Sequence, residues 1–290
     1  MSVDFDAFFQ GPAKAFLNAA IGQALAEDGH DLAAAMFLST HRVEARLVSK
    51  QRTVVAGLPV IPHIFRQMMC YGAITTFQAQ EGSLVEIGTS LAKIVAPAIS
   101  MLRAERIFLN FICHMSGIAD LTRRYVEAMG QSHTRLLDTR KTLPGLRYPE
   151  KYAVRVGGGH NHRFNLNEMV IIKDNYIDAF GSIRPAVDKL RSSLGSACPE
   201  LEIECRTLNE VREAVKCRPK RIMLDNMPVE QLALALNMIP EGIESEISGG
   251  VNLDNIGAIA ALNPDFISVG AIIHSASYAD LSLQFALAEQ

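Results

Sequence analysis

Tryptophan is missing from this 290-residue chain, and cysteine occurs only at positions 70, 113, 198, 205 and 217. The absent indole rules out nothing, but the cysteines are informative. Their number is odd and no Cys-x-x-Cys pair occurs, so a disulfide framework and a zinc ribbon are both excluded, and reduced thiols in a cytoplasmic protein are expected. No apolar run approaches the roughly 18 residues that span a bilayer. The N-terminus also lacks the basic-then-apolar order of an export signal. Charge of one sign is not in excess either: 28 Lys and Arg face 31 Asp and Glu, a net charge of -3 with a pI near 6.2. That balance argues against a nucleic-acid or membrane-surface protein. There is no dinucleotide-type glycine fingerprint, no linker rich in Pro, Gly or Ser, and no low-complexity segment. A 49% hydrophobic chain of this length has enough apolar material for one large or two modest domains.

From about residue 134 onward short apolar runs alternate with helix-length amphipathic segments. The runs are RLLD (135–138), EMVIIKD (168–174), LEIEC (201–205), RIMLD (221–225), IESEIS (243–248) and FISVG (266–270). Helical spacing fills 183–194, 208–217, 228–238 and 252–262. Strands that are apolar throughout, alternating with helices, imply a parallel sheet covered by helices. Six such units without a nucleotide fingerprint favour an α/β barrel over an open doubly wound sheet. The first 110 residues differ. They contain a helix over 13–27 and alternating segments at 42–49, 72–78 and 84–95. The stretch LVEIGTSLAKIVAP predicts a hairpin in a small α+β domain, and a long helical region over 97–129 leads into the barrel.

Each barrel run ends in polar residues: Asp138-Thr139-Arg140-Lys141, Lys173-Asp174-Asn175, Glu204, Asp225-Asn226, Ser248-Gly249-Gly250 and Gly270. Barrel active sites lie at the C-terminal ends of the strands, so six polar ends in succession point to one site. The most charged segment is DTRKTLPGLRYPEKYAVRVGGGHNHRFNLNEMVIIKDNY (138–176). Between 135 and 163 there are seven Lys and Arg against two acids, a local balance of +5 in a chain of net charge -3. Arg140 and Arg163 are the prime anion binders, because guanidinium offers a planar, permanently charged fork. Lys141 and Lys173 are point charges suited to phosphate. His160 and His162 have no Cys or acid at ligand spacing, which disfavours zinc; His162 reads as a hydrogen-bond donor to a bound carboxylate or as a structural histidine. Ser248-Gly249-Gly250, with Asn252 opening a helix, and Gly270 suit a phosphate cradle. Glu204 and Asp225 can hold Mg2+ or stabilise a developing cation.

With these residues in view, roughly residues 100–285 resemble the decarboxylating quinolinate phosphoribosyltransferases, a type II phosphoribosyltransferase family. ERIFLNFICHMSGIAD, DTRKTLPGLR, EKYAVRVGGGHNHR, IIKDN, LEIEC, IMLDNM, SGG and FISVGAIIHSA occur in family order and spacing. The resemblance implies an N-terminal α/β sandwich over 1–115, completed by 275–290, and an incomplete α/β (TIM-like) barrel over 116–274. It implies transfer of ribose 5-phosphate from phosphoribosyl pyrophosphate (PRPP) to quinolinate, with loss of pyrophosphate and CO2. A homodimer with shared active sites is implied, and further assembly, to a hexamer for example, is left open. Arg140, His162 and Arg163 fall on quinolinate positions beside Thr139, with Arg106 reaching in from a partner subunit. Lys141 and Lys173 match the basic residues around both ligands, Glu204 and Asp225 the acids near ribose and Mg2+, and Ser248, Gly249, Gly250 and Gly270 the phosphate end. Two positions depart from the pattern. Tyr176 stands where the family usually carries His, and EDGHDLAAAMF (27–37) lacks the family's Thr. A paralogue using another heteroaromatic acid, like the ModD-type relatives, is the alternative.

Overall fold

The computed structural model describes residues 3–29, 31–37 and 41–286. His30 of the 27–37 segment and residues 287–290 of the C-terminal segment lie outside the described residues. Contacts divide the chain into two compact units. The first comprises Met1–Arg123, Thr142–Gly158 and Ile272–Gln290; the second comprises Arg124–Lys141 and Gly159–Ala271.

The first unit contains β1 (Arg42–Ser49), β2 (Thr53–Val54), β3 (Ile74–Phe77), β4 (Leu84–Val85) and β5 (Ser90–Pro97). β5 alternates buried and partly exposed residues over most of its length, the signature of a strand with one face on a core. The expected LVEIGTSLAKIVAP hairpin does not form. β4 pairs with β2, whereas β5 pairs antiparallel with both β1 and β3. The turn at Gly88, with φ of +83°, is held by β1 instead: its N–H donates to the Ser49 carbonyl over 2.8 Å. A strand as long and apolar as β5 gains more from two neighbours than from one short partner. Around the sheet, the helix Gly11–Asp28 buries Ala13, Leu17, Ile21 and Leu25, one residue per turn.

The 31-residue helix Ala98–Ala128 carries Gly117 in its interior, where glycine ordinarily costs about 1 kcal/mol. A Cβ there would stand 1.9 Å from the Ser277 carbonyl oxygen, so the returning chain requires the missing side chain. The helix Arg147–Val156, assigned from the sequence to the barrel domain, packs within the first unit. The cause is Tyr152, fully buried, whose ring meets those of Phe5, Phe8 and Phe9 and whose hydroxyl donates to Glu81 over 3.0 Å.

The second unit contains β6 (Arg135–Leu137), β7 (Val170–Ile172), β8 (Leu201–Cys205), β9 (Arg221–Asp225), β10 (Glu244–Ser248) and β11 (Phe266–Ser268). They form one parallel sheet in the order β6-β11-β10-β9-β8-β7. Neighbours are consecutive in the chain except that the last strand lies beside the first, as a barrel requires. Among the described residues no pairing joins β6 to β7, so this is an incomplete α/β barrel. Helices follow the strands, with Ile183–Leu194 and Leu208–Cys217 at the bounds their apolar spacing predicts. The helix expected over 252–262 covers only Ile256–Ala260. The Asn252 side chain instead accepts the Asp254 and Asn255 N–H groups in a turn. The chain then returns to the first unit as β12 (Leu281–Ala286), antiparallel to β1.

Candidate active site

Side chains alternate along a strand, so every second residue faces the barrel interior. On β8 these are Glu202 and Glu204; on β9 Arg221, Met223 and Asp225; on β10 Glu244, Glu246 and Ser248. The C-terminal member of each series belongs to the set read from the sequence. Register sets Asp225 beside Ser248 and Ser248 beside Ser268.

The basic side of the mouth is built at the two outermost strands of the sheet. Arg140 follows β6, while Arg163 precedes β7 and Lys173 follows it. All three line a single cavity of about 520 Å3 together with Tyr176, Leu166 and Phe180. Residues from opposite edges sharing one cavity show that the sheet curls back on itself. Burial and the neighbouring Arg140 guanidinium push Arg163 down from its ordinary value. Its Nη1 donates to the Met169 carbonyl over 2.7 Å, which fixes the head group. Lys141 is exposed, and its backbone N–H donates to Thr139 Oγ1 over 3.1 Å.

Two fixed cations with a lysine nearby have a strong use for a dianion. The acids come next around the mouth. Lys173 Nζ lies 3.4 Å from Glu204 Oε2. Burial raises the Glu204 carboxyl, with Asp225 adding to the rise and Lys173 opposing it. Two hard carboxylates this near to each other fit Mg2+. Past them, Gly249 and Gly250 have φ of +84° and +64°. A Cβ on Gly249 would stand 2.4 Å from Asn226 Oδ1, so this turn accepts only glycine. Gly249→Ala is therefore expected to cost about 2 kcal/mol or more, from strain and from the clash. Thermal unfolding checks this, and an unchanged midpoint would contradict the turn's geometry. This segment is therefore shaped by backbone turns and not by a helix end, because the helix Ile256–Ala260 is short and starts six residues beyond Gly250.

His162 is buried. Its ring turns inward, with Nε2 3.2 Å from Glu202 and 3.6 Å from Glu246. Its main chain is anchored by Asp138, also buried, whose carboxylate accepts the His162 N–H over 2.8 Å and the Asn161 side-chain amide over 2.6 Å. His160 forms a parallel bridge with Leu137, which extends the sheet past β6. Arg106 lies in the first unit, exposed on the helix Ala98–Ala128.

Sequence reasoning missed Asp138 as an anchor and missed Glu202, Arg221 and Glu246 altogether. The signal was available: counting back along each strand in steps of two, one step from Glu204 and Ser248 and two from Asp225, reaches the buried charges Glu202, Glu246 and Arg221. Arg221 donates to Glu246 over 2.8 Å and to Glu244 over 3.0 Å, and its guanidinium lies 3.9 Å from the centre of the Phe266 ring. Burial, reinforced by Glu202, raises Glu246 to about 7, above the usual carboxylate value of 4.5. A raised acid keeps its proton in the folded state after the unfolded chain has released its own. Its contribution to stability is complete below about pH 4.5 and is lost as pH rises through about 7. Stability measured across that window is expected to decline, and Glu246→Gln is expected to flatten the decline. An equal slope in both proteins would refute it.

Fold and site together define a protein of the parallel α/β class with a cation-lined cavity at the mouth of an incomplete barrel. Descriptions of the quinolinate phosphoribosyl transferase C-terminal and N-terminal domains match residues 118–284 and 31–116. A probable nicotinate-nucleotide pyrophosphorylase (carboxylating) of Synechocystis is 43% identical, over 84% of this chain and 83% of its own. The nicotinate-nucleotide pyrophosphorylase of Mycobacterium leprae is 38% identical, over 83% and 86%. The crystal structure of NadC from Streptococcus pyogenes superimposes with a TM-score of 0.89 at 35% identity, covering 98% of this chain and all of that one. The chain belongs to the quinolinate phosphoribosyltransferase family. Among the described residues no helix is long and apolar enough to cross a membrane.

Proposed function

We propose that this chain transfers the 5-phosphoribosyl group of PRPP to the ring nitrogen of quinolinate, releasing pyrophosphate and CO2 and giving nicotinate mononucleotide for NAD biosynthesis. Family membership supports the reaction. The observation that carries the assignment of residues is the single cavity lined by Arg140, Arg163 and Lys173, with Glu204 3.4 Å from Lys173. Two adjacent ring carboxylates match two guanidinium forks, which hold the pyridine nitrogen facing the ribose. Glu204 and Asp225 lie where positive charge develops at the ribosyl carbon as its bond to pyrophosphate breaks. Lys141 and Lys173 offset charge on the departing pyrophosphate, and Ser248, Gly249, Gly250 and Gly270 present polar backbone to the phosphate end of PRPP. Once the nitrogen is quaternised its positive charge stabilises the electron pair left on the adjacent carbon when CO2 departs, and that carbon then takes a proton. Glu204 and Asp225 would hold Mg2+, whose charge eases pyrophosphate release.

Arg106, exposed on the first unit, is assigned to the site of a second copy in a homodimer. Its five free cysteines suit a reducing cytoplasm. The test mixes protein, PRPP, Mg2+ and quinolinate and follows CO2 and pyrophosphate together. Stoichiometric release of both is expected. PRPP binding without turnover would overturn quinolinate as the acceptor and redirect attention to Tyr176 on the cavity wall.

A further inference from the structure

Beneath the mouth the barrel buries charged groups that no step above uses. Glu202 is fully buried, and among the described residues neither of its oxygens accepts a hydrogen bond of normal geometry. A carboxylate in that state is costly, and a position needed only for packing would carry leucine. We propose that Glu202, backed by Glu246 and Arg221, is a positioning residue for the acid-binding end of the site, acting through the His162 ring on Arg163. This rests on the reading that Arg163 clamps a substrate carboxylate.

The argument starts from one proton. The Arg163 backbone N–H donates to His162 Nδ1 over 2.7 Å, so Nδ1 carries no hydrogen and the ring hydrogen sits on Nε2. Nε2 faces Glu202 at 3.2 Å and Glu246 at 3.6 Å. The opposite tautomer would set N–H against N–H at Arg163 and a bare nitrogen against two acids. The acids therefore select the tautomer that holds the Arg163 main chain, much as carboxylates behind metal-bound histidines do. The Glu202 charge also acts on the Arg163 guanidinium itself.

Arg221 Nη1 lies 2.8 Å from Glu246 Oε2, the same oxygen that His162 approaches, and supplies the balancing cation. The cluster of His162, Glu202 and Glu246, whose ligand atoms lie within 4.8 Å of one another, thus has Arg221 as its permanent cation.

Steady-state kinetics of Glu202→Leu, Glu202→Gln and Arg163→Ala test this. Glu202→Leu is expected to raise KM for quinolinate about tenfold with KM for PRPP unchanged. Glu202→Gln, which keeps a carbonyl oxygen facing Nε2, is expected to restore most of the loss. A Leu variant that only loses thermal stability, with KM unchanged, overturns the proposal. If Arg163→Ala itself leaves KM unchanged, the clamp reading fails instead. Should the Leu variant not fold, nitrogen-15 spectra of histidine-labelled wild-type enzyme decide. His162 unprotonated at Nδ1 and protonated at Nε2 is expected, and the reverse tautomer or a doubly protonated ring overturns the proposal.

Discussion

Glu204→Gln is expected to lower kcat by about 100- to 1000-fold while leaving KM for quinolinate within a few-fold of wild type, the pattern of a group whose contribution grows as charge develops. Asp225→Asn should behave similarly. Gln and Asn keep size and hydrogen-bonding capacity, so the loss reports charge. Glu204 is suited to that role by its surroundings: burial destabilises its anion, and only Lys173 at 3.4 Å offsets the penalty. A carboxylate held in that state gains when a cation forms beside it. Presteady-state measurement of pyrophosphate release separates this step from product release. A Glu204→Gln enzyme with wild-type kcat and raised KM would show that the acid binds substrate and does not stabilise the ribosyl cation.

Arg163→Ala is expected to raise KM for quinolinate by about 30- to 100-fold, the equivalent of about 2–3 kcal/mol for a charge-assisted bidentate contact. The effect on kcat should be smaller. Arg140→Ala should act in the same direction. It should cost less, because removing Arg140 also relieves the repulsion that pushes Arg163 down from its ordinary value. The double variant is therefore expected to depart from additivity, as neighbouring groups in one site do. Lysine at position 163 would restore charge but not the planar fork, so it should recover only part of the loss. An unchanged KM in both single variants would remove the carboxylate clamp from the mechanism.

Much of the barrel was legible in the chain. LEIEC and RIMLD became β8 and β9 at the bounds their patterns predict, because Leu201, Ile203 and Cys205, and Ile222 and Leu224, recur with the two-residue period of a strand. The polar strand ends were legible in the same way: Glu204, Asp225 and Ser248 each stand where such a pattern stops. The N-terminal half was harder. LVEIGTSLAKIVAP looks like a hairpin because local pattern records which residues favour a strand and a turn, not which strand each will pair with. β4 and β5 took separate partners.

Covalent order and residue type, then, were enough to determine a barrel of successive βα units, the cationic 138–176 segment and the residues at the strand ends, since periodicity and turn chemistry are local properties. Tertiary structure alone decided three things. It turned the His162 ring inward to Glu202 and Glu246, it packed Arg147–Val156 in the first unit by way of Tyr152, and it brought Arg140 and Lys173 from opposite sheet edges to one cavity. Each depends on groups far apart in the chain meeting in a low-dielectric interior, where charge pairing and close packing outweigh the local preferences a sequence displays.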